Sequence, residues 1–290
     1  MQFPTATFIR SLGLRPDKKR GQNFLIDRQA AERTVRAAAL SPEDSVIEIG
    51  PGLGSLTFFL HAMNIPSRCY EIDPSLFAAL SASLPPASSV RLYHQDILKV
   101  PLAEISDPCV LIGSIPYALT TPILMKFFKE CRRISRAVFI VQQEVADRVC
   151  ATPGTRACGI LSVYSAAYAP AERIFTIPPQ SFHPVPAVAS AAIILRPDSS
   201  RQWHDAREAF FRTVLRSAFS HRRKTLRNAL HDFFRRHHIS PGHAHRACAA
   251  SGLDLSRRAE TLNIGEWYCL ADILRACTSR DTPLSDRTTA

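Results

Sequence analysis

The sequence lacks an apolar run long enough to cross a membrane. A transmembrane helix needs about 20 consecutive, mostly apolar residues, and polar or charged residues interrupt every hydrophobic stretch of this chain well before that length. The first residues, MQFPTATFIRSLGLRP, also lack the apolar core of a secretory signal. We therefore expect a cytoplasmic protein with no membrane partner. The arginine-containing, acid-poor start leaves import into an organelle as the alternative.

Metal-binding and disulfide patterns are also missing. The eight cysteines form no CxxC pair, and the ten histidines show no convincing spacing for metal ligands. Zinc sites and disulfide-rich secreted domains both depend on closely spaced cysteines. We therefore predict no metal, and we interpret the cysteines as small buried hydrophobic residues in a reducing compartment.

Acidic residues are scarce relative to basic ones. The chain has 25 Asp and Glu against 36 Lys and Arg, which gives a formal charge of +11. Residues 207–236 hold nine basic side chains beside only Glu208 and Asp232. This imbalance favours contact with phosphate groups over an ordinary solvated helix face, which is the alternative. The residues that we expect to bind RNA are Arg222, Arg223, Lys224 and Arg227.

Short aliphatic runs recur through the first two thirds of the chain, with room for a helix between them. This alternation predicts an α/β fold with a doubly wound, mostly parallel sheet. Two later runs, YAPAERIFTI and AVASAAIILR, have no helix-length segment between them. We expect them to form an antiparallel pair at one edge of the sheet. The predicted parallel strands are SVIEI (45–49), SRCYEI (67–72), VRLYH (90–94), CVLI (109–112) and RAVFIV (136–141).

The sequence changes character near residue 200. The polar, proline-containing segment RPDSSRQ follows Leu195, and beyond it apolar residues repeat at helical spacing. We predict a small all-helical domain there, separated from the α/β domain by this linker. The predicted divisions are an N-terminal extension at 1–17, the α/β domain at 18–199, the helical domain at 200–277 and a disordered tail at 278–290.

Three glycines at alternate positions, in the segment GPGLG (50–54), follow the first predicted parallel strand. Alternate glycines allow a tight turn and let the backbone approach a ligand closely. With Glu48 in front, the pattern reads ExGxGxG rather than the GxGxxG of dinucleotide enzymes, and no GxxxxGK[ST] phosphate loop is present. This form fits a nucleoside that carries an amino-acid tail better than it fits a pyrophosphate.

Acidic residues end the next two predicted strands. Glu71 lies about twenty residues after the first glycine, where a carboxylate can accept hydrogen bonds from two ribose hydroxyls. Asp96 ends the third strand, where it can accept from an adenine amino group. Glycine, acid and acid at successive strand ends match the class I methyltransferases that use S-adenosylmethionine (SAM). Acidic helix caps on an unrelated α/β sheet are the alternative.

The fourth predicted strand runs into the segment Gly113-Ser114-Ile115-Pro116-Tyr117. The N6 amino group of adenine is a poor nucleophile because its lone pair is delocalised into the ring. Two hydrogen-bond acceptors can aim that lone pair at a methyl donor. The Ser114 side chain and the Ile115 carbonyl are placed to be those acceptors, and Tyr117 is placed to stack on a flipped-out base.

Several blocks of the chain, in order, resemble the KsgA (RsmA) family of ribosomal RNA small-subunit adenine N6-dimethyltransferases, over roughly residues 16–275. The resemblance implies a class I SAM-dependent, Rossmann-like fold with a helical RNA-binding domain. It also implies dimethylation of two adjacent adenosines near the 3′ end of 16S rRNA, a role in ribosome biogenesis, and a monomer. The blocks are GQNFL (21–25), EIGPGLGSLT (48–57), YEID (70–73), QDIL (95–98), QQEVADR (142–148), SFHPVPAVAS (181–190) and RRAETLNIGEWYCLADIL (257–274).

The resemblance implies roles for individual residues. The cofactor-binding residues are Asn23, Leu25, Gly50, Gly52, Glu71, Ile72, Asp96, Ile97 and Ser114. The residues at the target base are Ser114, Ile115, Pro116, Tyr117 and Phe182. We expect Phe182 on the face of the adenine opposite Tyr117, with a place in the core as the alternative. The family usually has Asn at position 114, and the serine side chain is an atom shorter, so this substitution bears on catalytic efficiency.

Three functions fit the sequence to different degrees. An active small-subunit rRNA dimethyltransferase is the preferred one. A resistance-type enzyme acting on a 23S rRNA adenosine shares the SAM motifs, but the basic helical C-terminal part fits the first function better. A ribosome-assembly factor without efficient catalysis is the third, because of Ser114. A small-molecule methyltransferase would leave the arginine-rich residues 207–236 unexplained.

Overall fold

The computed structural model describes residues 1–13, 21–102, 109–198 and 205–280. Parts of all four predicted divisions lie outside these described residues. They are residues 14–17 of the N-terminal extension, 18–20, 103–108 and 199 of the α/β domain, 200–204 of the helical domain, and 281–290 of the tail. Across the described ranges, no helix is both long enough and apolar enough to span a bilayer.

The chain divides into two compact units. The first comprises Met1–Cys150 and Tyr168–Ser199, and the second comprises Ala151–Ala167 and Ser200–Ala290. One division coincides with the predicted boundary near residue 200. The grouping of residues 151–167 with the C-terminal unit was not indicated by the sequence, because these residues precede the predicted linker. The domain assignments themselves stay predictions.

The strands of the described residues all belong to the first unit. They are β1 (Phe24–Leu25), β2 (Ser45–Ile49), β3 (Ser67–Glu71), β4 (Val90–His94), β5 (Cys109–Ser114), β6 (Ile134–Gln142), β7 (Ala171–Ile177), β8 (Phe182–His183) and β9 (Ser190–Leu195). Seven of them form one sheet in the order β4-β3-β2-β5-β6-β9-β7, while β1 and β8 form a separate antiparallel pair. Each predicted strand is present, and β5 and β6 extend beyond their predicted ends.

Pairing within the main sheet is parallel from β4 across to β6. Strand β9 then runs antiparallel between β6 and β7. The predicted mostly parallel sheet with an antiparallel edge is thus confirmed. Strand β9 is buried along its whole length, and β5 along all but its last residue, as expected for aliphatic strands covered on both faces.

Helices follow the strands in the first unit and make up most of the second. They are α1 (Ala6–Ser11), α2 (Arg28–Ala37), α3 (Thr57–Ala62), α4 (Pro74–Ser83), α5 (Thr120–Glu130), α6 (Gln143–Val149), α7 (Ile160–Tyr168), α8 (Asp205–Phe219), α9 (Leu226–Ala229), α10 (His231–Arg236), α11 (Pro241–Ala250) and α12 (Ile264–Arg280).

Aspartate side chains cap two of these helices at their N-termini: Asp27 accepts from Ala30 N–H at α2, and Asp73 accepts from Ser75 N–H at α4. Such caps satisfy backbone donors that the helix itself leaves unpaired.

The second unit packs its helices around large apolar side chains. Phe211, Leu230, Trp267, Leu270 and Leu274 are all fully buried there. The predicted helical character of this part of the chain is confirmed. Helix α12 continues to residue 280, two residues past the start of the segment predicted as a tail.

One carboxyl group lies entirely inside the first unit. Glu48, on β2, is buried, and one of its oxygens accepts from the Thr57 hydroxyl at 2.7 Å and from the Cys69 thiol at 3.4 Å. Burial raises the pKa of Glu48 to about 7, against the opposing effect of these two hydrogen bonds. Glu48 therefore lies beneath the glycine loop as a partly protonated group that links β2, β3 and α3.

This raised pKa predicts how stability depends on pH. Because the folded protein holds the Glu48 proton above pH 4.5, where the unfolded chain releases it, stability falls as pH rises from 4.5 through 7. Between pH 5 and 8 the wild type should lose roughly 2 kcal/mol more unfolding free energy than Glu48→Gln. Urea unfolding across this range measures it, with the exposed Glu43→Gln as control. Equal pH slopes in wild type and Glu48→Gln would contradict the assignment.

Candidate functional site

A cleft of about 840 Å³, including space open to solvent, lies at the carboxyl ends of the parallel strands of the first unit. Ligands of open α/β sheets bind at this edge, because the loops that follow the strands meet there. Twelve of the thirteen predicted cofactor and target-base residues line the cleft. They are Asn23, Gly50, Gly52, Glu71, Ile72, Asp96, Ile97, Ser114, Ile115, Pro116, Tyr117 and Phe182.

The glycine loop has the left-handed backbone that its sequence predicts. Gly50 has φ of +63° and Gly52 has φ of +58°, a region that side chains with a Cβ rarely adopt. A Cβ at Gly52 would lie only 3.4 Å from the Phe24 ring, and one at Gly50 would lie 3.7 Å from Pro116. The loop therefore brings bare backbone to the wall of the cleft between two other lining segments.

Glu71 is held in place by backbone donors on both sides. One carboxylate oxygen accepts from Gly52 N–H at 2.9 Å, and the other accepts from Asp73 N–H at 2.9 Å. Burial raises the pKa of Glu71, while these two hydrogen bonds oppose the rise. A hydrogen bond from the Ile72 backbone N–H also lowers this pKa. Backbone donors from two segments therefore hold the Glu71 carboxylate at the wall of the cleft.

Asp96 occupies the corresponding place after β4. One of its oxygens accepts from Leu98 N–H at 2.9 Å, which fixes the carboxylate at the start of a short 3₁₀ turn. Ile97, next to it in the chain, is buried, whereas Ile72, which also lines the cleft, is 41% exposed. An exposed isoleucine in the same cleft as two strand-end carboxylates offers an apolar surface in addition to polar acceptors, as a purine nucleoside requires.

The segment after β5 is fixed by hydrogen bonds of its main chain. Ile115 N–H donates to the Ile140 carbonyl at 3.0 Å, and the Pro116 carbonyl accepts from Leu119 N–H at 2.9 Å. The Tyr117 hydroxyl lies 2.8 Å from the Ser190 hydroxyl. Burial raises the pKa of Tyr117, so its phenol stays neutral near pH 7. Ser114, at the end of β5, is half-buried at the cleft wall.

Phe182 and Leu25 differ from the other predicted residues. Phe182 lines the cleft but is only 2% exposed and belongs to the hydrophobic core, so packing accounts for most of its surface. Leu25, paired with it across β1 and β8, is also buried in this core and does not line the cleft. Its carbonyl accepts from the Ser55 hydroxyl. The ligand roles of both residues stay predictions.

The cleft also contains residues that the sequence did not single out. Gln22 and Phe24 belong to the GQNFL block, so the motif itself could have indicated them. Ile123 and Ile140 belong to elements with no recognisable motif. Gln22 donates from its side-chain amide to the Asp73 carboxylate at 3.1 Å, which ties the GQNFL segment to the end of β3. The remaining additional lining residues are Gly21, Ile49, Tyr70, Leu76, Gln95, Leu98 and Leu119.

The predicted RNA-binding residues lie in the second unit and divide into two kinds. Arg222 donates to the backbone carbonyls of Arg156 and Cys158, at 3.1 and 2.7 Å, so it braces that loop. Arg223, Lys224 and Arg227 are exposed, as is Arg222, and the RNA-binding role of all four stays a prediction. Several other basic side chains of the 207–236 stretch have acidic partners, which reduces the charge that the sequence suggested was available. These pairs are Arg207 with Asp272, Arg212 with Glu208, and Arg235 with Asp232.

Known folds resemble this one. The structure superimposes on a dimethyladenosine transferase from Plasmodium falciparum with a TM-score of 0.69, at 20% identity, over 83% of this chain and 94% of that chain. It also superimposes on the 23S rRNA methyltransferase ErmE with a TM-score of 0.66, at 24% identity, over 87% of this chain and 100% of that one. These similarities confirm the class I methyltransferase fold.

Sequence comparison identifies the family. The model of the family described as ribosomal RNA adenine dimethylase matches residues 14–275. The ribosomal RNA small subunit methyltransferase A of Geobacillus kaustophilus (strain HTA426) is 38% identical over 278 residues, which cover 93% of this chain and 94% of that protein. The match spans residues of both compact units. It confirms the resemblance to the ribosomal RNA adenine dimethyltransferases that the motifs indicated. The chain belongs to the ribosomal RNA adenine dimethylase family, whose members are methyltransferases.

Proposed function

We propose that this protein uses SAM to dimethylate N6 of two adjacent adenosines near the 3′ end of 16S rRNA, within the small ribosomal subunit. The observation that carries this proposal is the convergence, in one cleft, of a glycine loop, two strand-end carboxylates and the Ser114–Tyr117 segment. The relative named small subunit methyltransferase A, which aligns over nearly the whole chain, supports the choice of subunit. On this basis the protein acts in ribosome biogenesis, as a monomer in the cytoplasm.

The residues of the cleft fit SAM. The Glu71 carboxylate, fixed by backbone donors, is placed to accept from the ribose hydroxyls. Asp96 can accept from an adenine amino group, and Ile72 offers the purine an apolar face. The bare backbone of Gly50 and Gly52 leaves room for the amino-acid tail, and Asn23 lines the same cleft. When bound, SAM supplies an electrophilic methyl group on a positively charged sulfur.

Ser114, Ile115 and Tyr117 are placed to bind the target adenine. The side-chain oxygen of Ser114 and the carbonyl of Ile115 are acceptors for the two N6 hydrogens, and accepting both directs the nitrogen lone pair out of conjugation. The Tyr117 ring at the cleft wall offers a stacking surface for the extruded base. No side chain needs to act as a general base, because the methylated nitrogen loses its proton readily to water.

The direct experiment uses purified protein, isotopically labelled SAM and small ribosomal subunits that lack the modification. Mass spectrometry of the rRNA nucleosides should show N6,N6-dimethyladenosine at two adjacent positions, and large subunits should accept no label. Ser114→Asn should raise kcat, because the longer side chain reaches N6 without an intervening water. Methylation of large subunits instead would favour the resistance-type enzyme. Binding of SAM and subunits without transfer would favour an assembly factor.

The role of Glu71 is tested by affinity for SAM. Glu71→Ala removes the acceptors for two hydroxyls, and we expect the Kd to rise roughly tenfold or more in calorimetry. The matched control is Glu172→Ala, an exposed glutamate of the same unit. An unchanged Kd for Glu71→Ala, in a protein whose thermal unfolding shows a normal fold, would remove Glu71 from the SAM site.

The exposed cations of the second unit are tested by charge reversal. Changing Arg223, Lys224 and Arg227 to Glu should weaken small-subunit binding and flatten its dependence on salt, because fewer counterions are then released from phosphates. SAM affinity should stay the same. The control reverses three exposed arginines elsewhere, Arg10, Arg36 and Arg91. If both triple variants weakened binding equally, net charge alone and not this segment would be responsible.

A further inference from the structure

The hydroxyl of Ser190 lies behind the cleft wall, in contact with one of the residues that line the cleft. Ser190 is fully buried at the first position of β9, and its hydroxyl oxygen lies 2.8 Å from the hydroxyl oxygen of Tyr117. Only Tyr117 of the two is among the residues that line the cleft. The sequence shows no link between these residues, because they are 73 positions apart.

Ser190 is a rigid point in the sheet. Its backbone pairs with Gln142 of β6 on one side and with Ile177 of β7 on the other. The neighbouring Ala189 carbonyl accepts from Gln143 N–H at 3.0 Å, which holds the turn that enters β9. Strand pairing on both sides fixes the Ser190 backbone, and complete burial restricts its side chain. The hydroxyl can therefore fix the position of the group that it binds.

The main chain at Tyr117 is similarly fixed, but its ring is not. The Pro116 carbonyl accepts from Leu119 N–H at 2.9 Å and from the Thr120 hydroxyl at 3.3 Å, which closes the 3₁₀ turn around Tyr117. The ring is half-buried, and a tyrosine side chain can take several staggered positions about its Cα–Cβ bond and turn about its Cβ–ring bond. The hydrogen bond between the Tyr117 and Ser190 hydroxyls, at the far end of the ring, selects one of these positions.

We propose that Ser190 is a positioning residue for methyl transfer, which holds the Tyr117 ring in the plane where the target adenine stacks. This inference rests on the proposed function and adds to it a residue that does not touch the base. Stacking depends on the orientation of the aromatic face. Without Ser190 the half-buried phenol has to find water in the cleft, and the ring turns away from the stacking plane. Small displacements of this kind slow a reaction that depends on alignment.

A double-mutant cycle tests the inference in full-length protein with SAM and small subunits. Ser190→Ala should lower kcat about 3- to 10-fold and leave the SAM Kd within about twofold. Tyr117→Phe keeps the ring but removes the same hydrogen bond, so it should give a loss of similar size. The double variant should be no more than about twofold slower than Tyr117→Phe. Additive losses, or wild-type kcat for either single variant, would overturn the proposal.

Ser67→Ala is the matched control. Ser67 is buried at the start of β3, at the opposite end of its strand from the cleft, and its hydroxyl donates to the Ile65 carbonyl at 2.9 Å. It should keep wild-type kcat even if its stability falls. Should Ser190→Ala fail to fold, Tyr117→Phe removes the same bond without altering the sheet, and its kcat decides the question.

A second measurement does not depend on turnover. In protein with carbon-13 labelled tyrosine rings, the Tyr117 signal is identified by its loss in Tyr117→Phe. Ser190→Ala should shift that signal and leave the other five tyrosines unchanged, since the chain has six. An unmoved Tyr117 signal would overturn the proposal. If the wild type methylated no subunit, the proposed function would fail on that assay, whereas the ring signal would still report on Ser190.

Discussion

Parallel pairing of β2 with β3 and β5, in fixed register, is the constraint on which the site depends. It sets Ile49 beside Tyr70 and Glu48 beside Ile112, so the residues that follow these strands emerge together at one edge. The glycine loop, the Glu71 carboxylate and the segment after β5 then meet around a single cleft, although more than 60 residues separate the first from the last. A slip of one residue in this register would turn the strand-end side chains to the other face.

Local hydrogen bonds turn this arrangement into a rigid site. The Gly52 N–H binds the Glu71 carboxylate and so joins the loop after β2 to the end of β3. The side chain of Gln22 joins the GQNFL segment to Asp73 in the same region. Beneath the loop, Glu48 connects Thr57 and Cys69 from inside the core. Binding groups held in this way lose little freedom when a ligand arrives, which favours affinity.

The second unit supplies a different kind of chemistry. Its helices bury Trp267, Phe211 and their neighbours, while basic side chains remain at its surface. Ion pairs such as Arg207 with Asp272 neutralise part of that charge, and Arg222 binds backbone carbonyls. Fewer cations are therefore available for phosphates than the sequence count implies, and the exposed ones carry the proposed contact with rRNA.

The sequence by itself determined the α/β and helical character of the two parts, the family, and twelve of the cleft residues, because glycines and acids at strand ends are local patterns. Only the tertiary structure decided that Leu25 packs in the core, that Arg222 braces a loop, that residues 151–167 join the C-terminal unit, and that Ser190 binds Tyr117. Each of these depends on a contact between residues far apart in the chain. Spacing along a sequence does not record such contacts, since they arise when separate elements pack together.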